Sequence, residues 1–338
     1  MITIDWTETY DRLLFEAFCA GRVTGELTGK PTEIGESGLA HIFFYDDVVY
    51  KLYKTHSDRN HFIKGVLAPT GRRRHFVEHD FALNSHFSGD VYKKLYSVYF
   101  DQGAAIVVPY DGRSIYTLSE MNRLDFDTNL HERLLRGEID EQELELLGYE
   151  TARAVDTYPV SVSDSINWYD LAKERVGFLS QFVDWLPEEF GKPLCEARVV
   201  EALYAHLEKH KEEYQRIKGN ALRVNIDNHD ENVFFVEGKP QTIDVLPPMS
   251  SWWYGLPHAN LSNLMANIEV LHSPEAANKV QDGYCRYFEI EAPPEHSFGF
   301  THAFAYLISV AHFGSVPGKE AVTRKYIAKV PEIADWLR

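Results

Sequence analysis

The chain has 338 residues, of which 44% are hydrophobic, and its formal net charge at pH 7 is -17. A chain of this length can bury a large core and is expected to form about two domains or lobes. The excess of acid argues against a protein that binds nucleic acid, since such proteins present basic surface to the phosphates. It would suit a cationic substrate such as an amino sugar or an amino alcohol.

The sequence carries no recognisable signal for secretion or for a membrane. Its start, Met-Ile-Thr-Ile-Asp-Trp, lacks a basic region and an apolar run. No stretch reaches the ~20 apolar residues that span a bilayer. The three cysteines, Cys19, Cys195 and Cys285, lie far apart without CxxC spacing, which is typical of reduced thiols. We therefore expect a soluble cytoplasmic protein with no membrane partner, and the oligomeric state stays open.

The first predicted element is an amphipathic helix over residues 5–20, whose apolar side includes Leu14 and Phe18. A segment with several glycines follows it. We assign residues 1–30 to an N-terminal helical extension. The pattern leaves open whether this helix packs on its own lobe or on a neighbouring chain.

A glycine-containing loop and a lysine come next in the chain. The loop carries Gly35, Ser37 and Gly38, and two apolar strands follow it. Alternation along the second strand places Lys51 on the face opposite Tyr50. A glycine hairpin above phosphates, with a lysine on the following strand, is an arrangement that holds and neutralises a nucleotide. We therefore predict that the three loop residues and Lys51 bind a nucleotide.

The helix predicted over residues 72–87 offers a carboxylate partner for this lysine. The two candidates are Glu78 and Asp80. We favour Asp80 because Leu83 and Phe87 follow it at helical spacing and would bury the adjoining face. Asp80 is thus predicted to fix Lys51 in the nucleotide site.

The remaining pattern divides the chain into a small lobe and a large lobe. Strands over residues 92–100 and 104–109 lead to the polar break Tyr110-Asp111-Gly112, so we place the small lobe over residues 31–109. Helical periodicity dominates residues 110–338, which we assign to a large catalytic and substrate lobe.

The most informative segment is the polar loop and hairpin from Val224 to Asp244. Asp227 and Asn232 are five residues apart in the loop, and the hairpin would bring Asp244 to them. Phosphoryl transfer needs a carboxylate that orients the attacking hydroxyl, and oxygen ligands that hold magnesium against the phosphates. We therefore predict Asp227 as the catalytic residue, with Asn232 and Asp244 as the Mg²⁺ ligands. The alternative is a solvated turn between two strands.

These segments together resemble the aminoglycoside phosphotransferase-like branch of the protein-kinase-like fold. They are most similar to a poorly characterised bacterial phosphotransferase group. The paired strands, helix motif, catalytic loop and following Tyr-Gly segment of that group all have counterparts in this sequence. The matching segments are His41-Ile42-Phe43-Phe44, Tyr50-Lys51-Leu52-Tyr53-Lys54, Arg73 to Asn84, Asn225 to Asn232, and Tyr254-Gly255-Leu256-Pro257. The resemblance covers most of the chain from residue 31 onward.

The resemblance implies an α+β, bilobal fold with a small antiparallel β-sheet lobe and a larger, mainly helical lobe. It also implies a kinase that uses Mg²⁺ and ATP or GTP to phosphorylate a small-molecule hydroxyl. An amino sugar, a sugar or an amino alcohol would be the acceptor. The sequence names neither the acceptor nor the nucleotide.

Several positions depart from the pattern of this group. Asn225 stands where the loop has His, Asn260 where the following helix has Asp, Asp80 where the first helix has Glu, and Pro247 where an acidic residue often follows the metal ligand. The resemblance implies that the His and the helix Asp fix the loop backbone, so losing both could loosen the site. Asn can replace such hydrogen bonds but brings no charge. The alternative function is therefore a nucleotide-binding pseudokinase or regulatory scaffold with weak or no transfer activity.

Two other patterns leave alternatives open. His75 and His79 lie one helical turn apart, as do His206 and His210, and either pair could bind zinc, although neither has a third ligand at convincing spacing. The aromatic run Trp252-Trp253-Tyr254 could line an acceptor pocket and hold a cation, or it could pack in the core.

Overall fold

The structure is a computed structural model. It describes residues 6–37, 39–55, 67, 70–158, 160–182, 190, 197–245, 253–314 and 318–337. The chain forms two compact units, of which unit 1 comprises Met1–Asp125 with Asp244–Pro247, and unit 2 comprises Phe126–Ile243 with Pro248–Arg338. Unit 1 holds a 7-stranded sheet. Unit 2 is mainly helical, so the predicted α+β class is confirmed.

Unit 1 contains two helices and the strands of its sheet among the described residues. They are α1 (Trp6–Cys19), β1 (Val23–Gly25), β2 (Glu33–Glu36), β3 (Ala40–Tyr45), β4 (Val48–Tyr53), α2 (Thr70–Phe87), β5 (Tyr92–Asp101), β6 (Ala104–Pro109) and β7 (Tyr116–Asn122). The strand order is β1-β6-β5-β7-β4-β3-β2, and only the β1 to β6 pair is parallel among these described strands.

The sheet continues past the polar break at Tyr110-Asp111-Gly112. Strand β7 pairs with both β4 and β5 and so completes the centre of the sheet. The Asp111 carboxylate accepts hydrogen bonds from the Ser97 and Tyr99 hydroxyls, each at 2.6 Å. The break where we expected the small lobe to end is therefore an internal turn of unit 1, and this unit runs on to Asp125.

The N-terminal segment packs on its own sheet. Phe18 of α1 is fully buried and stacks on Phe43 of β3 with ring centroids 4.6 Å apart. Strand β1, which follows α1, adds a parallel edge beside β6. Residues 6–25 are thus part of unit 1, and α1 packs on the sheet of its own chain.

Together with short 3-10 helices, unit 2 contains the other α-helices and β-strands of the described residues. They are α3 (Leu130–Arg136), α4 (Glu141–Thr157), α5 (Trp168–Phe182), α6 (Ala197–Lys209), α7 (Lys211–Arg216), β8 (Arg223–Val224), β9 (Val233–Val236), β10 (Lys239–Thr242), β11 (Tyr254–Gly255), α8 (Pro257–Leu271), α9 (Pro274–Phe288), α10 (Glu295–Gly314) and α11 (Glu320–Trp336). Helices α6 and α7 are separate elements because the backbone leaves the helical region at His210.

Two hydrophobic cores hold unit 2 together. One includes Trp168, Phe300 and Tyr326, and the other includes Leu264 and Val280. Helices α4 and α9 cross at their glycines, which allows the backbones to touch. A Cβ atom added at Gly148 would lie 1.8 Å from the Val280 carbonyl oxygen, and one added at Gly283 would lie 1.8 Å from that of Glu145. No helix in the described ranges is both long and apolar enough to cross a membrane.

The contact of α1 with the sheet can be tested by substitution. Phe18→Ala should lower the free energy of unfolding of unit 1 by about 3 to 5 kcal/mol, because it leaves a cavity against Phe43. Tyr10→Ala is the matched control, since Tyr10 lies on the same helix and is 42% exposed. Urea unfolding followed by circular dichroism measures both variants. Equal, small losses would show that α1 does not stabilise the sheet.

Candidate functional site

Lys51 lies on one face of the sheet of unit 1, together with the glycine of the loop. Across the strands, Gly35 pairs with Ile42, Ile42 with Lys51, and Lys51 with Ser119. Residues directly opposite each other in antiparallel strands share a face. Tyr50 belongs to the core that includes the α1 residues. Lys51 therefore points away from that core, as the alternation along β4 predicted.

Lys51 is buried and ion-paired with Asp244. Its Nζ lies 2.6 Å from Asp244 Oδ1, and the Tyr92 hydroxyl donates to the same oxygen at 3.0 Å. Burial acts to lower the pKa of Lys51, but the charges of Asp244 and Asp80 outweigh it and raise the pKa above its usual value. Lys51 is therefore a fixed positive charge, and its direct partner is Asp244.

Asp80 is the second carboxylate that acts on Lys51. It is fully buried on α2, where it accepts hydrogen bonds from the Tyr53 hydroxyl and from Asn84 Nδ2. Burial raises the pKa of Asp80 to about 6, although the charge of Lys51 and the Tyr53 hydroxyl oppose the shift. Glu78 is exposed and accepts from the Tyr110 hydroxyl. Of the two candidates on α2, Asp80 is thus the one beside Lys51.

The glycine loop is partly a strand. Gly35 lies in β2, where an added Cβ atom would approach Phe44 Cε2 to 3.2 Å, so a side chain there would crowd the ring. The Ser37 hydroxyl accepts from the backbone N–H of Ala40 at 3.0 Å and shapes the turn. Lys54 holds this turn by donating to the Ser37 carbonyl oxygen at 2.7 Å. Gly38 lies outside the described residues, as do Cys195, Pro247 and Trp252.

In unit 2, the loop that carries Asp227 and Asn232 has the predicted hairpin after it. Asn232 Nδ2 donates to the Asp227 carbonyl oxygen at 3.1 Å, which ties the two ends of the loop together. Strands β9 and β10 pair with Val233 opposite Thr242, and the Ile243 N–H then bonds to the Asn232 carbonyl oxygen at 2.9 Å. Asp244 follows Ile243 directly in the chain.

Both aspartates have backbone conformations that side chains seldom adopt. Asp227 has φ of 47° and Asp244 has φ of 57°, which is the left-handed region. Asp tolerates this region better than most residues, but neighbouring contacts must still hold it there. Such conformations gather at functional sites.

Asn260 holds the backbone on the N-terminal side of Asp227. Its Oδ1 accepts from the Ile226 N–H at 2.8 Å, and its Nδ2 donates to the Val224 carbonyl oxygen at 3.2 Å. A carboxylate could accept the first bond but could not donate the second. The neutral amide of Asn260 therefore bonds the backbone before Asp227 at two points.

Asn225 behaves differently from Asn260. Its backbone N–H bonds to the Trp253 carbonyl oxygen at 2.7 Å. Its side-chain Oδ1 is buried and finds no hydrogen-bond partner among the described residues. The side chain at this position therefore gives the loop no support that the structure describes.

Helix α3 contributes residues that were not predicted. Asn129 Nδ2 donates to the carbonyl oxygens of Glu231 at 2.9 Å and Val233 at 3.2 Å. His131 Nδ1 bonds to the fully buried Asp230. Burial acts to lower the pKa of His131, but the bond and charge of Asp230 raise it overall. The sequence signal is present: Asn129 is followed three residues later by Glu132, a helix-start pattern.

The donor groups at the predicted metal positions suit magnesium. Asn232 offers an amide oxygen and Asp244 a carboxylate, which are hard oxygen ligands of the kind that Mg²⁺ prefers. The histidine pairs lack a comparable set. In the part of the chain that the structure describes, no group of three or more His, Cys, Asp or Glu residues could hold a metal. His206 bonds instead to the Leu337 carbonyl oxygen and the Tyr214 hydroxyl.

Solved structures share the fold of this chain. A thermostable mutant of aminoglycoside phosphotransferase APH(4)-Ia in its apo form is 12% identical, with a TM-score of 0.52 over 90% of this chain and 95% of that chain. A second structure of APH(4)-Ia is 11% identical, with a TM-score of 0.50 over 90% and 94% of the two chains. A putative fructosamine-3-kinase from Thermobifida fusca YX-ER1 is 12% identical over 90% and 94%, with a TM-score of 0.49.

These likenesses concern the fold alone, because the identities are low. The chain is similar in fold to aminoglycoside phosphotransferases, and the kinase-like fold implied by the sequence resemblance is confirmed. No family model matches the sequence, and no curated protein matches it.

The burial of Asp80 predicts a pH effect on stability. Its folded pKa of about 6 lies above the usual 3.8, so the native state holds more protons than the unfolded state between these values. Stability from Asp80 is therefore present below the lower value and is lost as pH rises through the higher one. Asp80→Asn lacks this titration. Its melting temperature should rise relative to wild type from pH 4 to 7, equivalent to at most about 3 kcal/mol.

The control for this pH effect is Glu78→Gln, which changes an exposed carboxylate on the same helix. Its melting temperature should follow that of wild type at every pH. If the melting temperatures of Asp80→Asn and wild type change with pH in the same way, the pKa of Asp80 is not raised in the folded protein.

Proposed function

We propose that this protein is a kinase that transfers a phosphoryl group from ATP or GTP to a hydroxyl of a small molecule, with Mg²⁺. The observation that carries the proposal is the ion pair of the buried Lys51 with the partly exposed Asp244, whose Nζ and Oδ1 atoms lie 2.6 Å apart, together with the fully buried carboxylate of Asp80, whose charge also acts on Lys51. Burying a lysine beside two carboxylates costs free energy of desolvation, and apolar residues of similar volume would pack the same space without that cost. Such perturbed groups gather where chemistry is done.

The residues of unit 1 bind the nucleotide in this proposal. Lys51 neutralises the phosphates, Asp80 maintains the charge of Lys51, and the loop with Gly35, Ser37 and Gly38 covers the phosphates. Asp244 and Asn232 hold magnesium. The metal, when bound, neutralises charge on the phosphates and on the leaving group. Because Lys51 and Asp244 neutralise each other in the structure, the phosphates would take over part of the role of Asp244 towards Lys51.

Asp227 is the catalytic residue of the proposal. It orients the acceptor hydroxyl and receives its proton as the acceptor oxygen bonds to the γ-phosphorus, while the bond from that phosphorus to the bridging oxygen breaks. The carboxylate is half-buried, and two bonds fix the Asp227 carbonyl oxygen, from the His229 N–H at 2.9 Å and from Asn232 Nδ2 at 3.1 Å. A fixed backbone keeps the carboxylate in one orientation.

The proposed acceptor is an amino sugar, a sugar or an amino alcohol. Two considerations support this class. The neighbours in fold are aminoglycoside phosphotransferases. The net charge of -17 favours a cationic acceptor over an anionic one.

A second candidate function is a pseudokinase or regulatory scaffold that binds a nucleotide without transfer. The buried amide oxygen of Asn225, which has no hydrogen-bond partner among the described residues, favours it. Asn228 in the same loop is fully buried, and its amide also finds no partner there. A loop with unsatisfied groups is less firmly held.

The proposal is tested by assaying transfer from MgATP and MgGTP to a panel of amino sugars, sugars and amino alcohols. Wild type should phosphorylate at least one acceptor class. Asp227→Asn should lower kcat by about 100-fold or more, since it removes the proton acceptor, and it should leave nucleotide affinity unchanged. Asp164→Asn, which changes an exposed carboxylate in unit 2, should leave kcat unchanged.

Full activity in Asp227→Asn would contradict the assignment of the catalytic residue. Nucleotide binding by wild type without transfer to any acceptor would favour the scaffold.

A further inference from the structure

A buried asparagine on α2 bonds to the residue that follows Asp244. Asn84 is fully buried. Its Oδ1 accepts from the Val245 N–H at 2.9 Å, and its Nδ2 donates to the Val245 carbonyl oxygen at 2.9 Å. One side-chain amide therefore bonds both backbone groups of Val245, which lies 161 residues away in sequence.

The same amide reaches the other carboxylate of the site. Nδ2 also lies 2.9 Å from the Asp80 carbonyl oxygen and 3.2 Å from Asp80 Oδ1. Asn84 thus links the carboxylate that raises the pKa of Lys51 to the backbone beside the carboxylate that pairs with Lys51.

The chemistry at this position requires an amide. Val245 is fully buried and lies outside any strand, so its N–H and carbonyl oxygen need side-chain partners. An asparagine side chain offers an acceptor and a donor together, whereas an aspartate offers only acceptors and a leucine offers neither. Aspartate would also add a negative charge to a site that already holds Asp80 and Asp244.

Two sets of the described contacts act on different parts of Asp244. Lys51 and Tyr92 hold its carboxylate. The backbone beside it, with φ of 57° at Asp244, is held by Asn84 through Val245. Without the second set, the left-handed turn at Asp244 would relax toward commoner conformations, and the carboxylate would move with it.

We propose that Asn84 is a positioning residue for Asp244. It locks the backbone turn at Asp244 and Val245 to α2, so that the carboxylate is held ready for magnesium while Asp80 stays beside Lys51. The metal part of this inference rests on the proposed function. The backbone lock itself does not depend on any ligand.

The test compares Asn84→Asp, Asn84→Leu and the control Ser85→Ala. Asn84→Asp keeps the acceptor for the Val245 N–H and loses the donor, so it retains part of the lock and serves if Asn84→Leu does not fold. The Ser85 hydroxyl bonds only within α2, to the Phe81 carbonyl oxygen at 2.7 Å, among the contacts described. Removing it should change no measurement made on the site.

The first measurement uses calorimetry to find the Mg²⁺ concentration at which the magnesium-dependent gain in ATP affinity is half complete. Both Asn84 variants should need about 10- to 100-fold more Mg²⁺ than wild type, as expected when a group that orients a ligand is lost. In Asn84→Leu, which adds no charge, ATP affinity without Mg²⁺ should be unchanged, which a general loss of structure would not produce. An unchanged Mg²⁺ requirement in both variants would overturn the proposal.

The second measurement is hydrogen exchange of the Val245 amide in the ligand-free protein, followed by mass spectrometry. Exchange should be faster in Asn84→Leu than in wild type or Ser85→Ala, with α2 still protected. If wild type binds no nucleotide but exchange changes in this way, the proposed function fails while the backbone lock is supported. Unchanged exchange would overturn the lock whatever the nucleotide does.

Discussion

A lysine can be buried in a sheet without a large loss of stability only if a carboxylate pairs with its charge. In unit 1 the lysine is Lys51, and the carboxylate belongs to Asp244, 193 residues further along the chain. The pairing of Lys51 with Asp244 explains why a short return segment, Asp244–Pro247, belongs to unit 1 although the residues on both sides belong to unit 2. Removing Asp244, whose side chain is 34% exposed, would leave Asp80 as the remaining carboxylate whose charge acts on the buried Lys51.

The backbones beside the two aspartates proposed for catalysis and for metal binding are held by the same kind of interaction, a side-chain amide that bonds the main chain. Asp227 and Asp244 both have left-handed backbones. Asn260 bonds the backbone before Asp227 at two points, and Asn84 bonds the backbone after Asp244 at two points. Both supports are neutral amides. In an acidic protein, neutral supports fix the backbone without adding charge beside carboxylates that are already crowded.

Local patterns predicted much of this arrangement from the sequence. Lys51 on its strand face, the hairpin of β9 and β10, and Asp80 as the buried carboxylate of α2 all follow from alternation, turn residues and helical spacing. Strand β7 was missed because its buried residues include Thr117 and Ser119, so apolar alternation does not mark it. The direct partner of Lys51 was also not predicted.

What could not be predicted depends on contacts between distant residues. The bonds of Asn84 to Val245 and of Asn260 to Val224 and Ile226 join positions that no sequence period connects. For the same reason, the sequence did not show which backbone groups the Asn260 amide bonds, whereas the structure shows a contact at two points. Single substitutions relative to a family pattern are poor guides to function until the bonds of the new side chain are known.

The most direct measurement of the central claim is calorimetric titration of ATP and GTP into wild type and Asp244→Ala, each with and without Mg²⁺. Glu237→Ala, which changes an exposed turn residue of the preceding hairpin, is the matched control. A nucleotide site built on Lys51 and Asp244 predicts magnesium-dependent binding that is lost in Asp244→Ala and kept in the control. The claim would be contradicted if wild type bound neither ATP nor GTP, or if all three proteins showed equal magnesium-dependent binding.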